Sequence, residues 1–515
     1  MDLRGLLPLV IGLNIAALAV LYSRFAETDL AAQVKTQIET VLESFINPNS
    51  INSKSASCGL IPVPEYILLS SRVVLPNGIQ PAAIHISGGK IIKVSSSTAM
   101  HGPEVIDFKD SVIMPGVIDV HAHLNEPGRE DWEGLTTGTA AAAAGGVTTL
   151  VDMPLNSFPV TTVRSRLEEK QMLAEKKSLV NVAHWAGLTP DNAADHQVLA
   201  DLVAAGALGF KSFMSPSGID DFPNVGEADI AAALPFLKSA GVPYFVHAEF
   251  VTEVPLSEGL PTSYETYLSS RPPKFEQDAI ELLIKLLDED NTTAAPGFVL
   301  HIAHLSDSGC LPLIKAAVDR GLPVSVETCA HYLSFSSHHI ADGQTLFKCA
   351  PPIRDEPNRK ALLFAVLDGR ISVVSSDHSP APPSLKQLDT GDFIKAWGGI
   401  SGLQYLLPAT WTALKAEGVD ITVLSRVLSS NPAKLTGLSR RKGSITEGFD
   451  ADLVVWEPDE VADTTQQGNK HKHTMSPYTG MALFGKTVST IVGGHVMYLN
   501  GNMNEKPCGK VVMKR

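Results

Sequence analysis

The chain has 515 residues, 44% of them hydrophobic, and a formal net charge of −14. That length accommodates a large barrel core plus a second domain, while the acidic balance and the lack of any lysine and arginine block exclude nucleic acid or an anionic lipid surface as the expected partner. Five cysteines (Cys58, Cys310, Cys329, Cys349 and Cys508) lie without C-x-x-C spacing, which excludes a thiolate zinc cluster and predicts free thiols, not a disulfide framework.

The N-terminus carries no charge between Arg4 and Arg24, and Leu6 to Tyr22 is nearly continuous apolar sequence. It predicts a secretory signal or a short membrane anchor; cleaved and uncleaved forms are both open. Leu30, Val34, Ile38, Val41, Leu42 and Phe45 then recur at helical spacing, and Ile46 to Ser57 reads as a polar linker, so residues 1–57 stand apart as a leader segment. Secretion would expose one glycosylation triplet, Asn291-Thr292-Thr293, which reads most simply as a chance occurrence.

Short β-branched stretches follow (Arg72-Val73-Val74, Ala83 to Ile86, Lys90 to Val94, Ser111 to Ile113), separated in part by Asn-Gly and Gly-Gly turns. The same texture returns only near the far end, in Asp452 to Trp456, Thr487 to Val492, His495 to Tyr498 and Lys510 to Val512. Residues 58–115 and 436–515 are therefore expected to build one small β domain together.

Between them, over 116–435, apolar strand runs alternate with alanine- and leucine-rich helical stretches, the pattern of strand-helix units around a parallel sheet. Eight strands are predicted: 117–120, 148–151, 179–185, 208–211, 244–247, 298–303, 323–327 and 371–375. Eight predicts a closed (β/α)8 barrel, whose chemistry belongs at the C-terminal ends of its strands.

Residues suited to metal binding fall at those ends. Asp119, His121 and His123 share one face of the first strand because side chains alternate. Alone, His121-Ala122-His123 is as easily an accident near a turn as a ligand pair. Lys211, in Gly209 to Met214, sits in apolar sequence with no acidic neighbour; by itself it reads as a snorkelling lysine, but desolvation also lowers an amine's pKa. Its neutral form can add carbon dioxide to give N6-carboxylysine, whose two oxygens can bridge two cations. His247 ends the fifth strand. The sixth offers His301 and His304, of which His304 lies at the strand's end and His301 is expected on the opposite face of a regular strand. Asp377, in Ser375-Ser376-Asp377-His378, follows the eighth strand and can bind metal with one oxygen while handling a proton with the other. Positions 121, 123, 211, 247, 304 and 377 thus supply four imidazoles, a potential carbamate and a carboxylate, enough for two divalent cations. Nitrogen and oxygen donors without thiolate suit Zn2+, with Mn2+, Co2+ and Fe2+ as alternatives. Two such ions serve hydrolysis by generating hydroxide at neutral pH and polarising the bond under attack.

Those residues, in that order, resemble the amidohydrolase superfamily in its cyclic amidase branch of hydantoinases, dihydroorotases and allantoinases, over roughly residues 66–515. His121 to Arg129, Asp131-Trp132-Glu133-Gly134, Gly145 to Thr149, Lys211-Ser212-Phe213-Met214 and Lys348 to Asp355 are most similar to the plant-type allantoinases. The resemblance implies a TIM barrel with a β-sandwich and a carbamylated Lys211. It assigns His121, His123 and Asp377 to one metal and His247 and His304 to the other. It also implies hydrolysis of allantoin to allantoate in ureide catabolism, association with the endoplasmic reticulum, lumenal or membrane-anchored, and a homo-oligomer, notably a homotetramer. Asn125 stands where dihydroorotases carry a carboxylate-gripping arginine, which favours a neutral ureido ring. Pro216 stands where hydantoinases place an oxyanion-stabilising tyrosine, which weakens a hydantoinase or dihydropyrimidinase reading and leaves the oxyanion donor unassigned. Ala350 replaces a bacterial serine, so a substrate contact there uses backbone atoms. Asn125, Ser215, Ser217, Ala350, His378, Gly399 and Ile400, with the Trp397-Gly398-Gly399 loop, are the substrate-contact candidates. A non-catalytic dihydropyrimidinase-like assembly protein is the rival of another class; such relatives lose metal ligands, whereas here all six positions are filled.

Overall fold

The computed structural model describes residues 58–96, 104–251 and 259–513. The leader segment 1–57, with its expected signal or anchor and amphipathic stretch, lies outside the described residues. Among these, no helix is long and apolar enough to cross a membrane.

Strands from both ends of the described chain form one nine-stranded sheet. From the N-terminal side come β1 (Glu65–Leu75), β2 (Gly78–Ser87), β3 (Lys90–Ser95), β4 (Glu104–Asp107) and β5 (Val112–Pro115). The barrel strands are β6 (Val117–Ala122), β7 (Val147–Asp152), β8 (Asn181–His184), β9 (Ala186–Gly187), β10 (Phe210–Phe213), β11 (Pro243–His247), β12 (Val299–Ile302), β13 (Val324–Cys329) and β14 (Val373–Ser375). The chain then returns to the first sheet through β15 (Leu453–Val461), β16 (Phe484–Val492), β17 (His495–Leu499) and β18 (Asn502–Met503).

The two halves of the end sheet join where β5 pairs antiparallel with β15, Ile113 opposite Val455. Leu68, Ile84 and Ile113 from one half and Leu453, Val455 and Ile491 from the other are fully buried in one apolar cluster. Alternation explains this: β-branched residues at every second position give each strand one face for that core.

All eight predicted barrel strands are present, each parallel to its neighbours. The third is broken into β8 and β9, so the hydrogen-bonded order splits into β6-β7-β8 and β9 to β14. The seam between first and last strands closes through the parallel bridge of Ala122 with His378, with His123 N–H donating to the His378 carbonyl at 2.8 Å.

Two expectations are corrected. Lys510 to Val512 does not join the end sheet; Val511 bridges in parallel to Val182 of β8, with Val182 N–H donating to Lys510 O at 2.9 Å and Val512 N–H to Val182 O at 2.8 Å. The broken third strand leaves β8 with an open edge, and an unpaired edge accepts any strand that reaches it. The second correction concerns the thiols: Cys58 and Cys508 are joined in a disulfide, and only Cys310, Cys329 and Cys349 are free, all buried. A separation of 450 residues hides such a pair from any spacing rule, because the fold alone brings the two ends together.

Cys508→Ser is expected to lower unfolding stability by ~2–5 kcal/mol, read as a lower melting temperature that the reductant-treated wild type reproduces. Non-reducing peptide mapping that finds Cys58 and Cys508 both alkylated would contradict the bridge.

Candidate metal centre

The six expected ligands come from the ends of five strands. β6 delivers His121 and, one step beyond it, His123, because alternation turns positions 119, 121 and 123 the same way. His121 Nε2 lies 3.3 Å and His123 Nε2 3.7 Å from Asp377 Oδ1. The three residues are buried, with ligand atoms within 4.8 Å of one another. On the other side, the His247 and His304 ring centroids are 4.6 Å apart, and His304 lies 5.2 Å from His121, so the four imidazoles form one continuous cluster.

Lys211 on β10 is fully buried, and its Nζ has no hydrogen-bond partner. Its charge acts on His121, His123, His247, His304 and Asp377, which places it centrally among them. The Phe213 ring lies 5.0 Å from its Nζ. Burial lowers its pKa to about 8, with the Glu327 and Asp377 charges opposing the drop. A buried amine without a partner is costly, and conversion to a carbamate between cations removes that cost.

Burial also holds the imidazoles neutral: it lowers His121 and His247 to about 4 and pushes His123 and His304 well below the ordinary value. Neutral imidazole is the metal-binding form. Asp377 is driven well above the usual carboxylate range by burial, partly offset by Lys211. A cluster of lone-pair donors around one orphaned amine is the donor set that two divalent cations require, and these residues fit them.

The sequence did not single out the carboxylates behind the ligands. Glu327, fully buried on β13, accepts from His121 Nδ1 at 2.6 Å and from His304 N–H at 3.3 Å. Its other oxygen lies 3.5 Å from His301 Nε2. Glu249 accepts from His247 Nε2 at 2.7 Å and is paired in turn with Arg271, whose Nε is 3.2 Å from Oε1. Such carboxylates fix the tautomer and orientation of metal-binding histidines. The available signals were a charged residue inside an otherwise apolar strand and a two-residue offset from His247. Asp119 does support its strand: it accepts from the main-chain N–H groups of His121 and Ser376, each at 3.2 Å.

His301 and His304 both belong to this interior, contrary to the opposite-face expectation. Regular β12 ends at Ile302, and His304 adopts φ 37°, which breaks the alternation and swings its ring inward. Asn125, Asn156 and Asp377 are also left-handed, at φ 64°, 67° and 40°. Such non-glycine residues cost about 1–3 kcal/mol each and collect at functional sites.

A cavity of about 530 Å³ opens over the cluster, lined by His121, His123, His247, His304 and Asp377, with Asn156, Ser217, Ala350, Trp397 and Gly398 among the other lining residues. Of the substrate candidates, Ser217 and Ala350 therefore face the cavity, although the Ser217 hydroxyl already donates to Phe222 O at 2.7 Å. Asn125, Ser215, His378, Gly399 and Ile400 are not among the lining residues. Asn125 and Ser215 are buried with unpartnered side-chain atoms, and His378 is bonded to Glu133 at 3.2 Å. Gly399 is required by close approach: a Cβ there would meet Ser379 O at 2.0 Å.

Residues 112–497 match the amidohydrolase family. The chain is 45% identical to an allantoinase of Arabidopsis thaliana over 91% of this chain and 94% of that protein. It is 38% identical to an allantoinase of Saccharomyces cerevisiae over 88% and 99%, respectively. Among solved structures, an L-hydantoinase (dihydropyrimidinase) from Arthrobacter aurescens superposes with a TM-score of 0.80 at 28% identity, covering 88% of this chain and all of that one.

The depressed Lys211 pKa has a thermodynamic consequence in the metal-stripped protein. Between about 8 and the ordinary value of 10.5 the unfolded chain binds a proton that the folded one does not, so stability rises with pH across that window. Below it, burial of the ammonium is a constant cost. Metal-stripped Lys211→Met is therefore expected to melt higher than metal-stripped wild type at pH 7, the gap narrowing as pH rises past 8. A gap that is absent or widens with pH would contradict the buried, unpartnered amine.

Proposed function

Since the chain belongs to the amidohydrolase family, we infer that it hydrolyses the cyclic amide bond of allantoin to give allantoate, as a metal-dependent cyclic amidohydrolase. The observation that carries this reading is the near full-length match, at 45% identity, to a protein named allantoinase. All six expected ligand positions are filled: the four histidines and Asp377 line one cavity, and Lys211 is fully buried. That filled ligand set disfavours a non-catalytic assembly protein.

In this reading His121, His123 and Asp377 would hold one cation, His247 and His304 the other, and carboxylated Lys211 would serve both; Zn2+ is the proposed ion. Bound there, the cations lower the pKa of water and polarise the ring carbonyl. Asp377, beside both His121 and His123, accepts the proton of the attacking water and returns it to the leaving ring nitrogen. Glu327 and Glu249 keep His121 and His247 turned toward the centre. Among the described lining residues the one arginine, Arg271, is engaged by Glu249, which supports a neutral substrate over dihydroorotate.

Delivery to the endoplasmic reticulum is supported by the apolar run Leu6 to Tyr22 and by the Cys58–Cys508 bridge, which belongs to an oxidising compartment. Exposed Leu385, Leu388 and Ile394 support self-association into a homo-oligomer. A fluorescent fusion that stays cytosolic, or a monomer by light scattering, would refute these two readings respectively.

On one preparation loaded with Zn2+ and bicarbonate, allantoin is expected to turn over faster than 5-substituted hydantoins, dihydrouracil or dihydroorotate; preference for any of these overturns the substrate assignment. Asp377→Asn should cost about 10²–10⁴ in kcat. Lys211→Ala should lose metal and activity together and recover part of both with short carboxylic acids; full activity of the alanine variant would refute the bridge.

A further inference from the structure

Glu133 lies away from the ligands in sequence and is not among the cavity-lining residues, yet it is 1% exposed at the end of the loop that follows His123. Its carboxylate spans two segments: Oε2 lies 3.2 Å from His378 Nε2, and Oε1 accepts the Lys472 main-chain N–H at 3.0 Å. The tautomer of His378 follows from its other contact. Gly402 N–H donates to His378 Nδ1 at 3.3 Å, so the ring proton sits on Nε2 and points at Glu133. The ring of His471 stacks on His378 with centroids 4.6 Å apart, and is itself held by Gln404 N–H donating to its Nε2 at 3.3 Å.

The main chain of His378 is tied equally well. Its N–H donates to Ser376 Oγ at 3.0 Å and its carbonyl accepts from His123 N–H at 2.8 Å. The residue immediately before it is Asp377, in the left-handed region at φ 40°. A β-region backbone is the ordinary preference for such a residue, and a left-handed one persists only where the surroundings over-determine it. Every polar atom of His378 takes part in that restraint, and Glu133 supplies the one ionic contact among them.

We propose that Glu133 is a positioning residue for the reaction: by fixing the His378 ring it holds Asp377 in the left-handed geometry that aims its carboxylate between the metal centre and the substrate. The assignment rests on the reading of Asp377 as the proton carrier. Glutamine is isosteric with Glu133 but offers one carbonyl oxygen where two donors arrive, so Glu133→Gln must release either His378 or Lys472 and turn its NH2 group toward the one it releases.

The test is steady-state allantoin hydrolysis by Glu133→Gln, His378→Gln, their double variant and Asp377→Asn, each loaded with Zn2+ and bicarbonate, with metal content and melting temperature measured alongside. Glu133→Gln is expected to lower kcat on the order of 10²-fold, the size of effect caused by misplacing a reacting group. KM should stay within about twofold and metal content at the wild-type level, since the loss falls on the transition state and not on ground-state binding. The double variant should be no slower than the worse single one, because both disable one contact. Wild-type kcat in folded, metal-loaded Glu133→Gln overturns the proposal, as does a loss explained by missing metal or by KM alone. If Glu133→Gln does not fold, His378→Gln decides by the same criteria; failure of both to fold assigns the contact to stability and also overturns it. An active Asp377→Asn instead sinks the proton-carrier reading, which separates the two failures.

Discussion

The centre depends on one buried carboxylate. Glu327 has no solvent exposure, yet it binds the His121 ring, the His304 main chain and the neighbourhood of His301. A lone carboxylate in that position would be untenable. What makes it tolerable is the ring of groups around it, and what orients those groups is the carboxylate. Glu327 is held well below the ordinary carboxylate range, even against burial, by His121 and His301. Strands β6, β12 and β13 are thereby locked in register at the height where their ligands must meet. The metal-binding geometry is thus prepared from behind, by an anion that is not among the cavity-lining residues.

Much of this was legible in the sequence because it obeys local rules. Period-two alternation put Asp119, His121 and His123 on one face, and eight apolar runs closed by Lys211, His247 and Asp377 gave both the barrel and its chemical end. The rest obeys rules that single positions do not carry. His304 reaches the interior through a left-handed backbone that no hydrophobic pattern encodes. Glu327 and Glu249 matter through partners 206 and two residues away, respectively, and only the folded register shows which imidazole each one faces. The cysteines misled because spacing arguments concern short loops, while the bridge spans almost the whole described chain.

The L-hydantoinase (dihydropyrimidinase) from Arthrobacter aurescens shares this scaffold. In this chain the strand ends carry the expected ligands, and the segments after them add to the cavity lining: Ser217 and Gly218 after β10, Ala350 after β13, Trp397 and Gly398 after β14. Division of labour between rigid strand ends and variable connections lets one centre be aimed at different rings. It also explains why the ligand positions were readable from residue type and the substrate contacts were not. The former are dictated by donor chemistry; the latter are dictated by shape.

The segment that pairs with β8 ties completion of the barrel to a distant part of the chain. The third barrel strand takes its second partner from Lys510 to Val512, a segment whose Lys510 N–H also donates to the Asn181 side chain across 329 residues. Until that segment docks, the barrel carries an unsatisfied edge that invites pairing with other chains. Docking of this one short segment therefore shields the barrel from self-association, and the neighbouring Cys58–Cys508 bridge fastens it in place.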